Sequence, residues 1–143
     1  MTVQKMTVSE EESVFIKSPS DILNMDIKGY LEKQEQENFV VIALDGSHKV
    51  TSVRVVSVGT VNQTFIHPRE VFRYAIMENA SAIIICHNHP SGSIKPSEDD
   101  YKTTERLKKA SDLLGITLLD HIIIANGNYY SFLENGVVLD NDG

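Results

Sequence analysis

Ala82-Ile83-Ile84-Ile85-Cys86-His87-Asn88-His89-Pro90 is the stretch whose reading decides the fold of this 143-residue chain. Its first five residues form an unbroken apolar run bounded by turn formers, the pattern of a buried strand. If the extended backbone continues into the motif, His87 and His89 face one side, because side chains alternate along a strand. Pro90-Ser91-Gly92 then breaks the strand, and the helical character from Ser97 onward places Asp100 in the first turn of a helix. Strand end, turn and helix start thus bring two imidazole nitrogens and one carboxylate oxygen together. Three such ligands with a fourth position open to water describe a catalytic zinc site. Ser97 and Asp100, three residues apart, also fit a capping box, in which the serine oxygen accepts from a first-turn amide. A cap, however, has no need of paired histidines.

Outward from the motif, strands and helices alternate. Residues 1–18 are polar and include Glu10-Glu11-Glu12, which predicts a partly ordered arm. Ser18-Pro19-Ser20-Asp21 reads as a helix start, with the helix spanning about 20–33 and burying Ile22, Leu23, Met25, Ile27 and Leu31. Phe39–Leu44 is a continuous apolar strand, and Asp45-Gly46 turns into a valine-rich strand at Lys49–Gly59. A shorter extended piece is expected at Val61–Ile66. His67-Pro68-Arg69-Glu70 opens a helix to about Asn79, with proline in its first turn. After the motif, a helix runs from Ser97 to about Leu114, where Gly115 supplies the terminating glycine. Ile116–Ala125 is a further apolar strand, whose edge is available for self-association. Asn126-Gly127 turns it into an antiparallel partner at Tyr129–Leu133. Residues 140–143 read as a frayed tail. The pattern predicts an α/β protein in which residues 19–139 form one domain, a mixed β-sheet flanked by helices.

Composition narrows the function. Twenty acidic against thirteen basic residues give a net charge of −7, which disfavours a phosphate-binding surface built on lysine and arginine. Lys102, Arg106, Lys108 and Lys109 do cluster after the motif, but acidic residues precede them, as on a helix whose charges match its dipole. One cysteine, Cys86, allows no internal disulfide and fits a reducing compartment. No apolar stretch reaches the roughly 20 residues a membrane span needs, and the N-terminus lacks a signal-peptide core. A cytoplasmic location without membrane attachment is the expectation.

His87-X-His89-Pro90 followed by Ser97-X-X-Asp100 resembles the signature of the JAMM (JAB/MPN) metalloprotease superfamily. His87-Asn88-His89-Pro90-Ser91-Gly92, Pro96-Ser97-Glu98-Asp99-Asp100, His67-Pro68-Arg69-Glu70 and Asp120-His121 are similar to its bacterial RadC-like branch. The likeness covers roughly residues 35–135. It implies the JAMM sandwich related to cytidine deaminases, with zinc held by His87, His89 and Asp100. The deaminases' own Pro-Cys-X-X-Cys pattern is absent. It further implies a glutamate just ahead of the first core strand as general base, and Glu37 is the positional match. Glu35 and Glu70 are the rivals, the latter also suited to favouring its helix N-terminus. Ser97 would then donate to the oxyanion at the attacked carbonyl. Asp120 and His121 are candidates for supporting the site from behind the ligands, whereas His67 reads as a cap or cleft residue and His48 as exposed. RadC-like proteins of full length carry a helix-hairpin-helix region for which this sequence has no room, so a free-standing JAB domain is expected.

The resemblance implies a zinc-dependent hydrolase acting on a peptide, protein or isopeptide-like amide. The alternative is a non-catalytic, metal-stabilised interaction module associated with DNA repair or mobile elements. A phosphoester hydrolase has less support, with few basic residues near the motif. Neither the substrate nor the oligomeric state is legible.

Overall fold

The computed structural model describes residues 4–6 and 14–137. Glu10-Glu11-Glu12 and the expected tail at 140–143 lie outside the described residues. In chain order the elements are β1 (Gln4–Met6), a 3-10 helix (Pro19–Asn24), α1 (Asp26–Glu32), β2 (Asn38–Leu44), β3 (Val50–Val58) and α2 (Pro68–Met77). There follow β4 (Ala82–Asn88), α3 (Glu98–Leu114), β5 (Thr117–Ala125) and β6 (Asn128–Ser131). The strands form one sheet in the order β1-β3-β2-β4-β5-β6. Among the described residues only β4 and β5 run parallel, joined by α3 as the crossover, and the other pairs are antiparallel. This is the mixed α/β arrangement that the strand and turn pattern predicts.

Alternation along the central strands divides the core into two layers. Phe39, Val41, Ile83, Ile85 and Ile123 pack with Val71 and Phe72 of α2 and Leu107 of α3. Val40, Ile42, Ile84, Cys86 and Ile122 pack instead with Ile22, Ile27 and Leu31 beneath the opposite face. Both faces of β2 and β4 are therefore covered, which is why those strands read as unbroken apolar runs. His87 falls in step with Ile83 and Ile85, so the sheet delivers it to the face that carries α2 and α3.

Three sequence expectations need correction. The single helix over 20–33 is instead a 3-10 helix and α1, separated by Met25 in extended conformation (φ −94°, ψ 154°). On one continuous helix Ile22 and Ile27 would sit about 140° apart, since each residue turns the axis by about 100°. The break lets both enter the core, at 0% and 2% exposure. Val61–Ile66 is a turn and not a strand. The Asn62 side-chain oxygen accepts from the amides of Thr64 and Phe65, a local alternative to a ladder that asparagine offers readily. Finally, β5 presents no free edge along Ile122–Ala125, because β6 pairs there. Among the described residues no helix is long and apolar enough to cross a membrane.

The basic cluster after the motif is internally neutralised. Lys102 pairs with Glu98, Lys108 with Asp112 and Lys109 with Glu105, while Arg106 donates to the Gln63 carbonyl at 2.8 Å.

Far from the motif, Arg54 pairs with Glu78 at 2.8 Å and its guanidinium lies over the Tyr74 ring. Burial works against the Glu78 carboxylate. Hydrogen bonds from Arg54 and Ser52 outweigh it, so its pKa lies below the ordinary 4.5. A carboxyl lowered by folding stabilises fully above its unfolded pKa and loses that contribution as pH falls through the folded value. Glu78→Gln should therefore cost about 0.2–1 kcal/mol at pH 7, since solvent still screens the pair. The gap to wild type, measured by urea denaturation, should shrink steadily as the medium is acidified below that range.

Candidate metal centre

β4 ends where the site begins. His87 pairs with Phe39 of β2 and is fully buried. His89 follows two residues on, anchored by its amide to the Ile124 carbonyl at 3.1 Å. Its ring meets that of His87 with centroids 4.8 Å apart. The Nε2 atoms of the two histidines are 3.0 Å apart. Asp100 completes the triangle, with Oδ1 3.3 Å from His87 Nε2 and Oδ2 3.1 Å from His89 Nε2. The Glu37 carboxylate stands farther back, 3.9 Å from His87 Nε2. Glu37, His87, His89 and Asp100 together offer four ligand atoms within 4.8 Å of one another.

The loop after β4 orients His89. The Gly92 amide donates to the His89 carbonyl at 3.0 Å, closing a turn across Pro90 and Ser91. Gly92 itself takes φ +91°, a conformation side chains rarely adopt, and a β-carbon there would run into the Asn126 side chain. That backbone brings the Ser93 carbonyl to 2.8 Å from His89 Nδ1. A carbonyl only accepts, so Nδ1 carries the proton, and neutral His89 keeps its lone pair on Nε2, toward the triangle. Gly92→Ala should lower unfolding stability by about 1–3 kcal/mol, the usual cost of a strained backbone site. It should also weaken binding of a metal ion, as read by competition with a chromophoric chelator.

Asp100 is placed by the start of α3. The Ser97 hydroxyl accepts from the Asp100 amide at 3.0 Å, and the Ser97 amide donates to Asp100 Oδ2 at 2.9 Å. The capping box and the ligand triangle are thus one construction, with the cap holding the carboxylate toward the imidazoles. Burial opposes charge on Asp100, but the neighbouring His87 and His89 imidazoles and the Ser97 amide hold its carboxyl far below the usual range. Burial likewise pushes against a charged His89, and the Asp100 and Ser93 contacts overturn that and raise its pKa. An anionic carboxylate faces two imidazoles, an arrangement that welcomes a cation.

The donor set fits a divalent ion. Zinc bonds to nitrogen and oxygen of roughly 2.0–2.1 Å in a tetrahedron imply ligand atoms about 3.3 Å apart. The two nitrogens and the aspartate oxygens stand 3.0 to 3.3 Å apart. Glu37, 3.9 Å from His87 Nε2, stands outside that edge length.

Asn88, which sequence reasoning gave no role, brackets Glu37. Its Oδ1 accepts from the Asn38 amide at 2.6 Å, and its Nδ2 donates to the Gln36 carbonyl at 2.9 Å. The Gly59 amide adds a bond to the Glu37 carbonyl at 2.7 Å. The residue between the two motif histidines therefore ties the end of β4 to the backbone on both sides of the glutamate. Thr104 also escaped notice, although its place four residues after Asp100 puts both on one helix face.

The other candidates fall elsewhere. Glu35 lines the cleft beside Glu37, but the chain bends at Glu35-Gln36 instead of continuing as a strand. Alternation therefore does not carry Glu35 to the ligands. Glu70 sits in the first turn of α2 beside Arg69, and His67 precedes that helix without a side-chain capping bond. His121 is fully buried next to His87. Burial, with His87 adjacent, holds its pKa well below the ordinary value. Asp120 does not join it. Its carboxylate accepts from Ser131 Oγ and the Leu133 amide, and it borders a pocket with Ile16, His48 and Ile84. Adjacent strand residues point to opposite faces, and His121 takes the one toward the ligands. Cys86 is buried with the other layer, and burial pushes its thiol well above the ordinary range. His48 is exposed.

A cleft of about 620 Å³ opens over the triangle, lined by Glu35, Glu37, Asp99, His89, Ser97 and Lys95 among others. Three carboxylates against one lysine make its wall acidic.

Sheet, helices and the candidate ligand triangle define an α/β domain of the JAB type. The chain belongs to the RadC-like JAB domain family, whose model matches residues 16–137. It is similar to the UPF0758 protein of Staphylococcus epidermidis, 45% identical over 130 residues, which cover 91% of this chain and 57% of that protein. A UPF0758 protein of Methanosarcina mazei is 41% identical over 132 residues, 92% of this chain and 57% of the relative. One from Clostridium kluyveri is 48% identical over 104 residues, 73% and 46% respectively. The chain spans about half the length of the curated relatives it matches.

Proposed function

We propose that this chain is a zinc-dependent hydrolase of peptide or isopeptide-like amide bonds. The observation that carries the reading is the convergence of two imidazole nitrogens and one carboxylate on a single position, with a second carboxylate just outside that triangle. Glu37 stands 3.9 Å from His87 Nε2, beyond the spacing of the other donors, a placement that suits a proton acceptor better than the fourth ligand of a closed structural site. The acidic wall of the cleft and the neutralised lysines of α3 speak against a polyanionic phosphoester substrate and against direct nucleic-acid binding.

His87, His89 and Asp100 would hold the ion, leaving one corner open. A bound zinc supplies Lewis acidity toward a substrate carbonyl and lowers the pKa of water to about 7. Glu37, with its backbone fixed by Asn88 and Gly59, takes the proton of the attacking water and hands it to the departing amine. Ser97 uses an oxygen lone pair for the Asp100 amide, which leaves its hydroxyl proton free to donate to the oxyanion.

A mass-spectrometric screen of a peptide library tests the reading, with wild type and Glu37→Gln run side by side after zinc loading. Cleavage by wild type alone supports it. Equal cleavage by both removes Glu37 as the base, and no cleavage by a zinc-loaded wild type favours the interaction module.

A further inference from the structure

Behind His87 a chain of three short contacts leads back to the helix that carries Asp100. His87 Nδ1 lies 2.8 Å from His121 Nε2. His121 Nδ1 lies 2.6 Å from Thr104 Oγ1. The Thr104 hydroxyl donates to the Asp100 carbonyl oxygen at 2.7 Å. All three side chains are buried, with exposures of 0% for His87 and His121 and 2% for Thr104. Each polar atom on the path therefore depends on its neighbour for a partner.

A hydroxyl has one proton. With that proton on the Asp100 carbonyl, Thr104 Oγ1 can only accept, so His121 carries its own proton on Nδ1. His121 Nε2 is then a lone pair, which requires His87 to donate from Nδ1. His87 Nε2 is left unprotonated, and it is the atom facing His89 and Asp100. Run the other way, from Thr104 through His121, the same path would put a proton on His87 Nε2, at the corner a metal must occupy. The helix carbonyl of Asp100 is what turns the threonine toward the first direction.

We propose that Thr104 and His121 are positioning residues that fix the tautomer of His87, aiming its Nε2 lone pair at the position shared with His89 and Asp100. The proposal rests on the metal-centre reading above, and it concerns residues outside the ligand group. It also couples the two elements that bear ligands, because the backbone of one ligand, Asp100, sets the proton position on another, His87. Oriented ligands of this kind are a general property of metal sites, and losing an outer partner typically costs about 10- to 100-fold in metal affinity.

The test compares the full chain as wild type, Thr104→Val, Thr104→Ala and Thr104→Ser. Each is prepared metal-free and titrated with zinc against a chromophoric chelator. The imidazole nitrogens of His87 are followed in parallel by nitrogen-15 NMR of the metal-free proteins. The expected wild-type spectrum shows the proton on Nδ1. Valine and alanine should each weaken zinc binding by about 10- to 100-fold and move the His87 proton toward Nε2, while serine restores both. The alanine variant keeps the test open if the branched valine does not fold. A wild-type His87 protonated on Nε2 overturns the proposal, as does a folded valine or alanine variant with wild-type affinity. Loss of affinity with an unchanged tautomer overturns it too, since that is a packing effect. A wild type that binds no zinc defeats the metal reading instead, and the metal-free spectra still judge the tautomer.

Discussion

Glu37→Gln should leave metal binding intact and reduce hydrolysis by on the order of 100- to 10,000-fold, the usual contribution of a positioned general base. Glutamine keeps the size and the hydrogen-bonding reach of the side chain and removes only its ability to take a proton. The geometry favours this separation of roles. Glu37 Oε1 is 3.9 Å from His87 Nε2, beyond the 3.0–3.3 Å contacts among the two imidazole nitrogens and the two Asp100 oxygens. Its backbone is held independently of any ion, through Asn88 on both sides and Gly59. Zinc content per chain and turnover on a cleaved library peptide, measured on the same preparations, check the split. A variant that loses metal together with activity would make Glu37 a ligand.

His89→Ala should have the second large effect, removing stoichiometric metal binding altogether. Two ligands cannot replace three, so the loss should exceed the about 100-fold upper range for outer partners. Thermal stability provides an independent readout. Zinc at about 100 times its dissociation constant stabilises a folded state by about 2.7 kcal/mol, so wild type should melt higher with zinc than after chelation. The His89→Ala variant should melt at one temperature in both conditions. The metal-free forms are compared as well, because the variant also loses the bond from His89 Nδ1 to the Ser93 carbonyl. A zinc-dependent shift that survives in the variant would place the ion elsewhere.

The convergence of His87, His89 and Asp100 was legible because three local rules coincide there. Strand alternation puts His87 and His89 on one face, the Pro-Ser-Gly turn reverses the chain, and a capping box fixes the third residue of a helix. None of these depends on distant sequence. Glu37 became a candidate only through the family resemblance, since nothing near it in sequence announces a role. Its position is set by Asn88, fifty residues away from the Asn38 amide it holds. Asp120, as the strand neighbour of His121, turns to the other face by alternation, where its carboxylate still accepts from the His121 amide at 2.7 Å. The split helix at Met25 was hidden because helix signals at Ser18 and hydrophobic spacing from Ile22 to Leu31 both look continuous. Only the shape of the sheet above shows that Ile22 and Ile27 must share a side. At Val61–Ile66 the residues look extended, and the Asn62 side chain satisfies the local amides before a strand can form.

Ser97 illustrates how one residue can serve both structure and chemistry. Ser97→Ala removes the bond to the Asp100 amide, a cap loss usually costing about 0.5–2 kcal/mol. It also removes the donor proposed for the oxyanion, so it cannot by itself separate the two roles.

The most direct measurement is a zinc titration of the metal-free chain by calorimetry, run beside the double variant His87→Ala/His89→Ala. Wild type should saturate at one ion per chain, and the variant should show no saturable binding. Wild type that fails to bind, or a variant that binds as wild type does, would contradict the metal-centre reading.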